Sequence, residues 1–250
     1  LKVICILRSV IGAILFAVMT FLFSTSAILF SLLTTSTRIP RLHVKWWGIL
    51  SCWLFGVSVE VLGKDHWRRD SGGVVLFNHT SFFDIFAMAG YLPDMRFGAK
   101  IELFKIPIFG EAMKRIGILP IDRGRREKVF AVYQKSLDRL TAGEKIALAP
   151  EGTRTSNPQH LSPFKSGPFI FALQSKVDLI PVVIQGAYEV FPKGQLLPNT
   201  DHFFSKIHLH VLPPISTMDQ DFDKRASLQS YVRAQMQSVL DAKRKRVGAV

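Results

Sequence analysis

The hydrophobic pattern divides the chain into two regimes. From Val10 to Leu33 no residue is charged, and the run reads VIGAILFAVMTFLFSTSAILFSLL. That is long enough to cross a hydrocarbon core of about 30 Å as a helix. Arg8 and Arg38 bracket it. A cleaved signal peptide would carry an apolar core of only about 7–15 residues followed by a small-residue cleavage site, so the run reads as a retained anchor. A second apolar stretch, Trp46 to Leu62, follows a basic linker with Arg38, Arg41 and Lys45, and contains Trp46, Trp47, Trp53 and a single acid, Glu60. Its length fits a span, a re-entrant helix or an interfacial helix, and its tryptophans fit a membrane–water boundary. Together the two segments predict a membrane-embedded helical hairpin over residues 1–63. Lys2 and Arg8 balance the basic linker, so the charges alone do not orient it.

From residue 64 the apolar runs shorten and charges recur. Val74–Phe77, after Gly72-Gly73, reads as a buried strand, and Arg96–Ala99, Ile118–Ile121, Ile146–Ala149, Leu179–Gln185 and Ile207–Leu212 as further strands. Between them the spacing predicts helices over Phe82–Gly90, Pro107–Ile116, Glu127–Leu140 and Phe164–Gln174. Leu228–Ala242 closes the chain as an amphipathic helix with Val232, Met236, Val239 and Leu240 inward. Strands alternating with helices predict an α/β fold, a central mixed sheet flanked by helices, over residues 64–250.

Composition adds a partner class. The 250 residues carry a formal charge of +13, and 48% of them are hydrophobic. An oily, basic protein meets anionic headgroups or phosphorylated substrates. No recognised nucleic-acid motif or aromatic platform accompanies the basic residues. The Lys243-Arg244-Lys245-Arg246 tail reads as a solvated helix end or a headgroup contact. Cys5 and Cys52 both lie in apolar stretches, which argues against a zinc site or a disulfide framework.

The candidate chemistry follows predicted strands, and in open α/β sheets sites gather at the carboxyl ends of strands. Asn78-His79-Thr80-Ser81-Phe82-Phe83-Asp84 succeeds the strand at 74–77. With His79 in a loop and Asp84 in the first turn of the next helix, a carboxylate–imidazole pair can form. Such a pair fixes the tautomer and leaves Nε2 to take a proton from a hydroxyl. Ser81-x-x-Asp84 equally matches a capping box, in which Asp84 only starts a helix. Pro150-Glu151-Gly152-Thr153-Arg154 and Ile121-Asp122-Arg123-Gly124 also follow strands and would suit an anion, or be ordinary surface turns. Lys100 and Lys105 add a third basic contribution.

Taken together, these clusters resemble the 1-acyl-sn-glycerol-3-phosphate (lysophosphatidic acid) acyltransferases within the glycerolipid acyltransferases. The likeness runs from about residue 72 to 186. It is carried by Asn78-His79-x-Ser81-x-x-Asp84, Ile121-Asp122-Arg123-Gly124, Pro150-Glu151-Gly152-Thr153-Arg154 and Ile180-Pro181-Val182, with Lys100-Ile101-Glu102-Leu103 and Phe164-Lys165-x-Gly167 in the expected order. Thr80 stands where bacterial members commonly have glutamine. The resemblance implies that His79, oriented by Asp84, is the general base on the free hydroxyl of a lysophospholipid, and that this hydroxyl attacks the thioester of acyl-CoA or acyl-acyl carrier protein. It assigns Arg123, Glu151, Gly152, Thr153 and Arg154, with Lys100 and Lys105, to the glycerol phosphate. The thioester brings its own activation, so no metal or other cofactor is expected. Cytoplasmic donors imply a catalytic domain on the cytoplasmic face of the bilayer. Other lysophospholipids, a lyso-ornithine lipid and glycerol phosphate are alternative acceptors. A non-enzymatic, basic lipid-binding membrane protein is the alternative outside the class.

Overall fold

The computed structural model describes residues 2–34, 38–68, 71–92, 94–122 and 124–247, side chains at 38–40, 126 and 243–247 excepted. Arg123 and the basic side chains of the C-terminal tail therefore lie outside the described residues.

A mixed sheet of seven strands forms the centre: β1 Val57–Leu62, β2 Gly73–Phe77, β3 Met95–Lys100, β4 Leu119–Ile121, β5 Lys145–Leu148, β6 Asp178–Gln185 and β7 Ser205–Val211. Their order is β1-β7-β6-β2-β5-β3-β4. All neighbours are parallel except β6 and β7, so β1 and β7 run against the other five. The predicted α/β sheet is present. Strand β2 lies at its middle and is buried along its whole length. Val75 and Phe77 point into one apolar layer and Val74 and Leu76 into the other. Burial on both faces explains why this segment shows no hydrophobic–polar alternation.

The second apolar stretch corrects the expectation of one membrane segment over Trp46–Leu62. Helix α2 covers Arg38–Leu54, and Val57–Leu62 is a strand paired with β7. The break falls at Gly56, whose φ of +67° suits glycine. The alternation of Val57, Val59 and Val61 with Ser58 and Glu60 is the period of a half-buried strand.

Helix α1, Lys2–Leu33, extends the predicted run at its N-terminal end. Ser26 with His43, Thr20 with Trp47, and Gly12 with Phe55 pair in reverse order along the two helices, so α1 and α2 form an antiparallel hairpin. Helix α3, Phe83–Tyr91, packs on α2 at a crossing of two glycines. A Cβ on Gly48 would stand 2.6 Å from the Gly90 nitrogen and 2.6 Å from the Phe86 carbonyl oxygen.

Two smaller departures have local causes. The helix expected over Glu127–Leu140 is two, α5 Arg126–Gln134 and α6 Leu137–Thr141. Ser136 interrupts it, with its hydroxyl donating to the Val132 carbonyl. Tyr133 of α5 stacks on Phe171 at 4.5 Å, and Leu140 of α6 is buried, so each half supplies its own apolar contact. Helix α7 begins at Gly167 rather than Phe164 and ends at Ser175, because Pro168 is tolerated only in a first turn. Between β3 and β4, α4 covers Phe109–Arg115, while the short α8, Ala187–Val190, was not anticipated. The terminal helix α9, Arg225–Val247, buries Leu228, Val232, Met236 and Leu240 as the spacing requires.

The glycine crossing makes a specific demand. Gly48→Val should force α2 off α3, destabilising the protein by about 2–3 kcal/mol, the range for overpacking a close contact. A lowered thermal midpoint in detergent checks this, and an unchanged midpoint refutes the crossing.

Candidate active site

Because β2, β3, β4 and β5 are parallel, the segments that follow them emerge at one sheet edge. Asn78 and His79 follow β2, Lys100 ends β3, Asp122 follows β4, and Pro150–Arg154 follow β5. The structure therefore brings the first and third motifs together at the centre of the sheet.

Asn78 prolongs the sheet beyond β2. Its side-chain amide donates to the Ile184 carbonyl at 2.9 Å and accepts the Ile184 N–H at 2.7 Å. The side chain thus reaches across to β6 instead of closing its own turn. The next residue, His79, is clamped at both backbone groups. Its N–H donates to Glu151 Oε1 at 3.2 Å, and its carbonyl accepts the Thr155 N–H at 2.9 Å.

The ring is set by Asp84. His79 Nδ1 lies 2.9 Å from Asp84 Oδ2, and the same oxygen accepts the N–H groups of Thr80 at 2.7 Å and Ser81 at 2.8 Å. Asp84 is fully buried, and these three bonds offset the desolvation of its carboxylate. Its place in the first turn of α3 adds the favourable end of the helix dipole. With Nδ1 occupied, Nε2 is the ring nitrogen left for chemistry.

The predicted capping box forms by half. Asp84 does accept the Ser81 N–H, but the helix starts at Phe83 with Phe82 in the cap position. The Ser81 hydroxyl accepts the Phe83 N–H at 3.2 Å and donates to the Phe191 carbonyl at 3.0 Å. That second bond ties the His79–Asp84 turn to the loop after α8.

Glu151 faces inward. One carboxylate oxygen takes the His79 N–H and the other the Ser162 N–H at 2.9 Å. Burial pushes its carboxyl up from the ordinary carboxylate range, against the pull of those two N–H donors. Gly152, at φ +76°, makes the tight turn that follows. Thr153 and Arg154 then reach a cavity of about 680 Å³ whose wall also includes His79. The Arg154 guanidinium lies 4.1 Å from the centre of the Phe82 ring.

The cavity runs between the helical hairpin and the sheet edge. Ala13, Phe16, Phe23 and Ala27 of α1, Trp47 of α2 and Met113 of α4 give it an apolar wall. Lys100 lines it and pairs with Glu102 at 3.5 Å. Lys105 is exposed at the end of the following 3-10 turn and is not among the lining residues. Reading the sequence missed Phe82, Phe191 and Lys193 on this wall. Phe82 sits inside the first motif, and the Pro192-Lys193-Gly194 turn signal was the available clue to the others.

An apolar cavity opening on a carboxylate-oriented histidine suits proton removal from the hydroxyl of a substrate with a long apolar body. The comparisons agree. The acyltransferase family model matches residues 58–185. The 1-acyl-sn-glycerol-3-phosphate acyltransferase alpha of Mus musculus is 32% identical over 204 residues, covering 81% of this chain and 68% of that protein. The 1-acyl-sn-glycerol-3-phosphate acyltransferase of Saccharomyces cerevisiae is 27% identical over 220 residues, covering 82% of this chain and 69% of that one. The crystal structure of PlsC from Thermotoga maritima, a 1-acyl-sn-glycerophosphate acyltransferase, shares the fold with a TM-score of 0.82 at 21% identity, over 97% of both chains. The chain thus belongs to the 1-acyl-sn-glycerol-3-phosphate acyltransferase family of the acyltransferases.

Proposed function

We propose that this protein transfers an acyl chain from acyl-CoA or acyl-acyl carrier protein to the free sn-2 hydroxyl of 1-acyl-sn-glycerol 3-phosphate, giving phosphatidic acid. The observation that carries the reading is the 2.9 Å bond from His79 Nδ1 to Asp84 Oδ2 in a side-chain pair that opens on the apolar cavity. His79 Nε2 takes the proton of the acceptor hydroxyl as its oxygen attacks the thioester carbonyl. The new C–O ester bond forms, the C–S bond breaks, and the imidazolium returns its proton to the departing thiolate. Asp84 stabilises the imidazolium formed in between. The apolar wall receives an acyl chain, and Arg154, Thr153 and Lys100 on the same wall face the acceptor phosphate, with Arg123 assigned to it on its motif alone. Glu151 and Gly152 serve this anion site indirectly, by shaping the loop.

The same reading places the hairpin in a lipid leaflet and the sheet on the cytoplasmic side, where the acyl donors are. Helix α1 is apolar enough to cross a bilayer by length and composition. Yet the body holds it near both ends: the Ser9 hydroxyl donates to the Pro198 carbonyl at 2.5 Å, and Arg115 Nη1 donates to the Ser31 hydroxyl at 3.2 Å. A helix perpendicular to the bilayer would drag those polar contacts into hydrocarbon, so α1 lies along one leaflet and exposes Val3, Leu7, Ile14 and Val18 to lipid. Acyl chains then enter the cavity from the side.

Three outcomes test these assignments. His79→Ala should lower acyl transfer by about 10³-fold, within the range for losing a general base, with vesicle binding and folding retained. Retained turnover would refute the general-base role. Glu151→Gln should lower kcat by about 10- to 100-fold through misplacement of His79 while leaving the acceptor KM within about 2-fold. A selective rise in acceptor KM would return Glu151 to substrate contact. For the hairpin, Lys2→Cys and Thr34→Cys, each in a Cys5→Ala, Cys52→Ala background, should both react with an impermeant maleimide from the same side of a sealed vesicle. Labelling from opposite sides would show that α1 crosses.

A further inference from the structure

Among the described residues, three lysine or arginine side chains line the cavity that His79 faces: Lys100, Arg154 and Lys193. Two have evident company, Lys100 with Glu102 and Arg154 with the face of Phe82. Lys193 has no carboxylate within ion-pair distance among the described residues. Lys193 is exposed where it lines this wall, so its ammonium can meet an anion that enters the cavity.

The local sequence presents this lysine deliberately. The Gln195 N–H donates to the Pro192 carbonyl at 3.2 Å, and Gly194 has φ +92°. A type II turn needs a positive φ at its third residue, so Gly194 makes the turn and Lys193 stands at its apex. The ends of the loop are fixed. The Asn199 N–H donates to the Val190 carbonyl at 2.6 Å, and the Asn199 side chain donates to the Phe55 carbonyl at 2.9 Å. At the near end the Phe191 carbonyl accepts the Ser81 hydroxyl, within the His79–Asp84 turn.

Two aromatic rings join this loop to Arg154. Its guanidinium covers Phe82, whose ring centre is 6.2 Å from that of Phe191, two residues before Lys193. We propose that Lys193 is a specificity-determining residue that binds the phosphate of the acyl acceptor together with Arg154. The inference rests on the acyltransferase reading above and adds a residue outside the motif region. A phosphate monoester carries between one and two negative charges at neutral pH, so it can engage more than one of the cations on this wall. Arginine supplies the planar fork and lysine the mobile point charge. The acyl donor also carries phosphates, and the experiment separates the two sources.

The test is steady-state kinetics of the full chain in mixed micelles, with acceptor and donor varied in turn. Lys193→Met keeps the apolar stem and removes the charge. It should raise the KM for 1-acyl-sn-glycerol 3-phosphate by about 10-fold or more, the worth of one charged hydrogen bond, with kcat and the donor KM within about 2-fold. Lys193→Arg should recover most of the loss. With 1-acylglycerol, the same acceptor without its phosphate, wild type and Lys193→Met should perform alike. An unchanged acceptor KM overturns the inference, as does a rise confined to the donor KM, which would assign Lys193 to the donor's phosphates. Arg154→Ala is the reference. If it raises the acceptor KM and Lys193→Met does not, only this inference falls. If neither does, the acceptor-phosphate reading of the rim falls with it. Lys193 is exposed, and equal melting temperatures will show that the variants fold.

Discussion

The gathering of three donors on Asp84 Oδ2 is the constraint from which the site's geometry follows. One oxygen accepts His79 Nδ1 and the N–H groups of Thr80 and Ser81. A turn that converges on one buried atom has little freedom left, and the imidazole inherits that rigidity. A five-residue step from strand end to helix start suffices for it. The two readings of Ser81-x-x-Asp84, helix start and catalytic pair, are physically one, since the carboxylate that receives the Ser81 N–H is the carboxylate that orients His79.

The second anchor is the backbone of His79, held by Glu151 on one side and Thr155 on the other. The third motif is thus a splint for the first. Its inward carboxylate fixes where His79 sits, while its outward Thr153 and Arg154 face the cavity. A single short loop divides positioning from binding because its glycine reverses the chain between them. This arrangement also links the cavity wall to His79, since Thr155, the residue after Arg154, donates its N–H to the His79 carbonyl.

Much of this was legible beforehand because it is local. Strand β2 announced itself by a continuous apolar run, and the strand-then-polar pattern placed His79 and the 150–154 loop at one edge. What escaped depends on distant parts of the chain. Glu151 looked like an anion-site residue because its motif is polar, and only the approach of β2 to β5 shows both its oxygens taken up by backbone. The strand at Val57–Leu62 was absorbed into an apolar stretch because its partner, β7, lies almost 150 residues later. The break at Ser136 and the late start at Pro168 are local signals that periodicity overrode. Lys193 carried a turn signature, but nothing near it in sequence tells that the turn faces His79.

The hairpin explains why the cavity belongs to this protein's core and not to its surface. Gly48 and Gly90 bring α2 against α3 at backbone distance, and α1 closes over the far side. Phe16 of α1 meets Trp47 of α2 and Phe86 of α3, so the same aromatic cluster joins the long apolar helix to the helix that carries Asp84. The apolar wall supplied by α1 therefore belongs to the same cavity as His79, and Lys100 and Arg154 line that cavity from the sheet edge. The proposed transfer needs a slot for a hydrocarbon chain and a charged seat for a phosphate, and one cavity presents an apolar wall and cations together with His79.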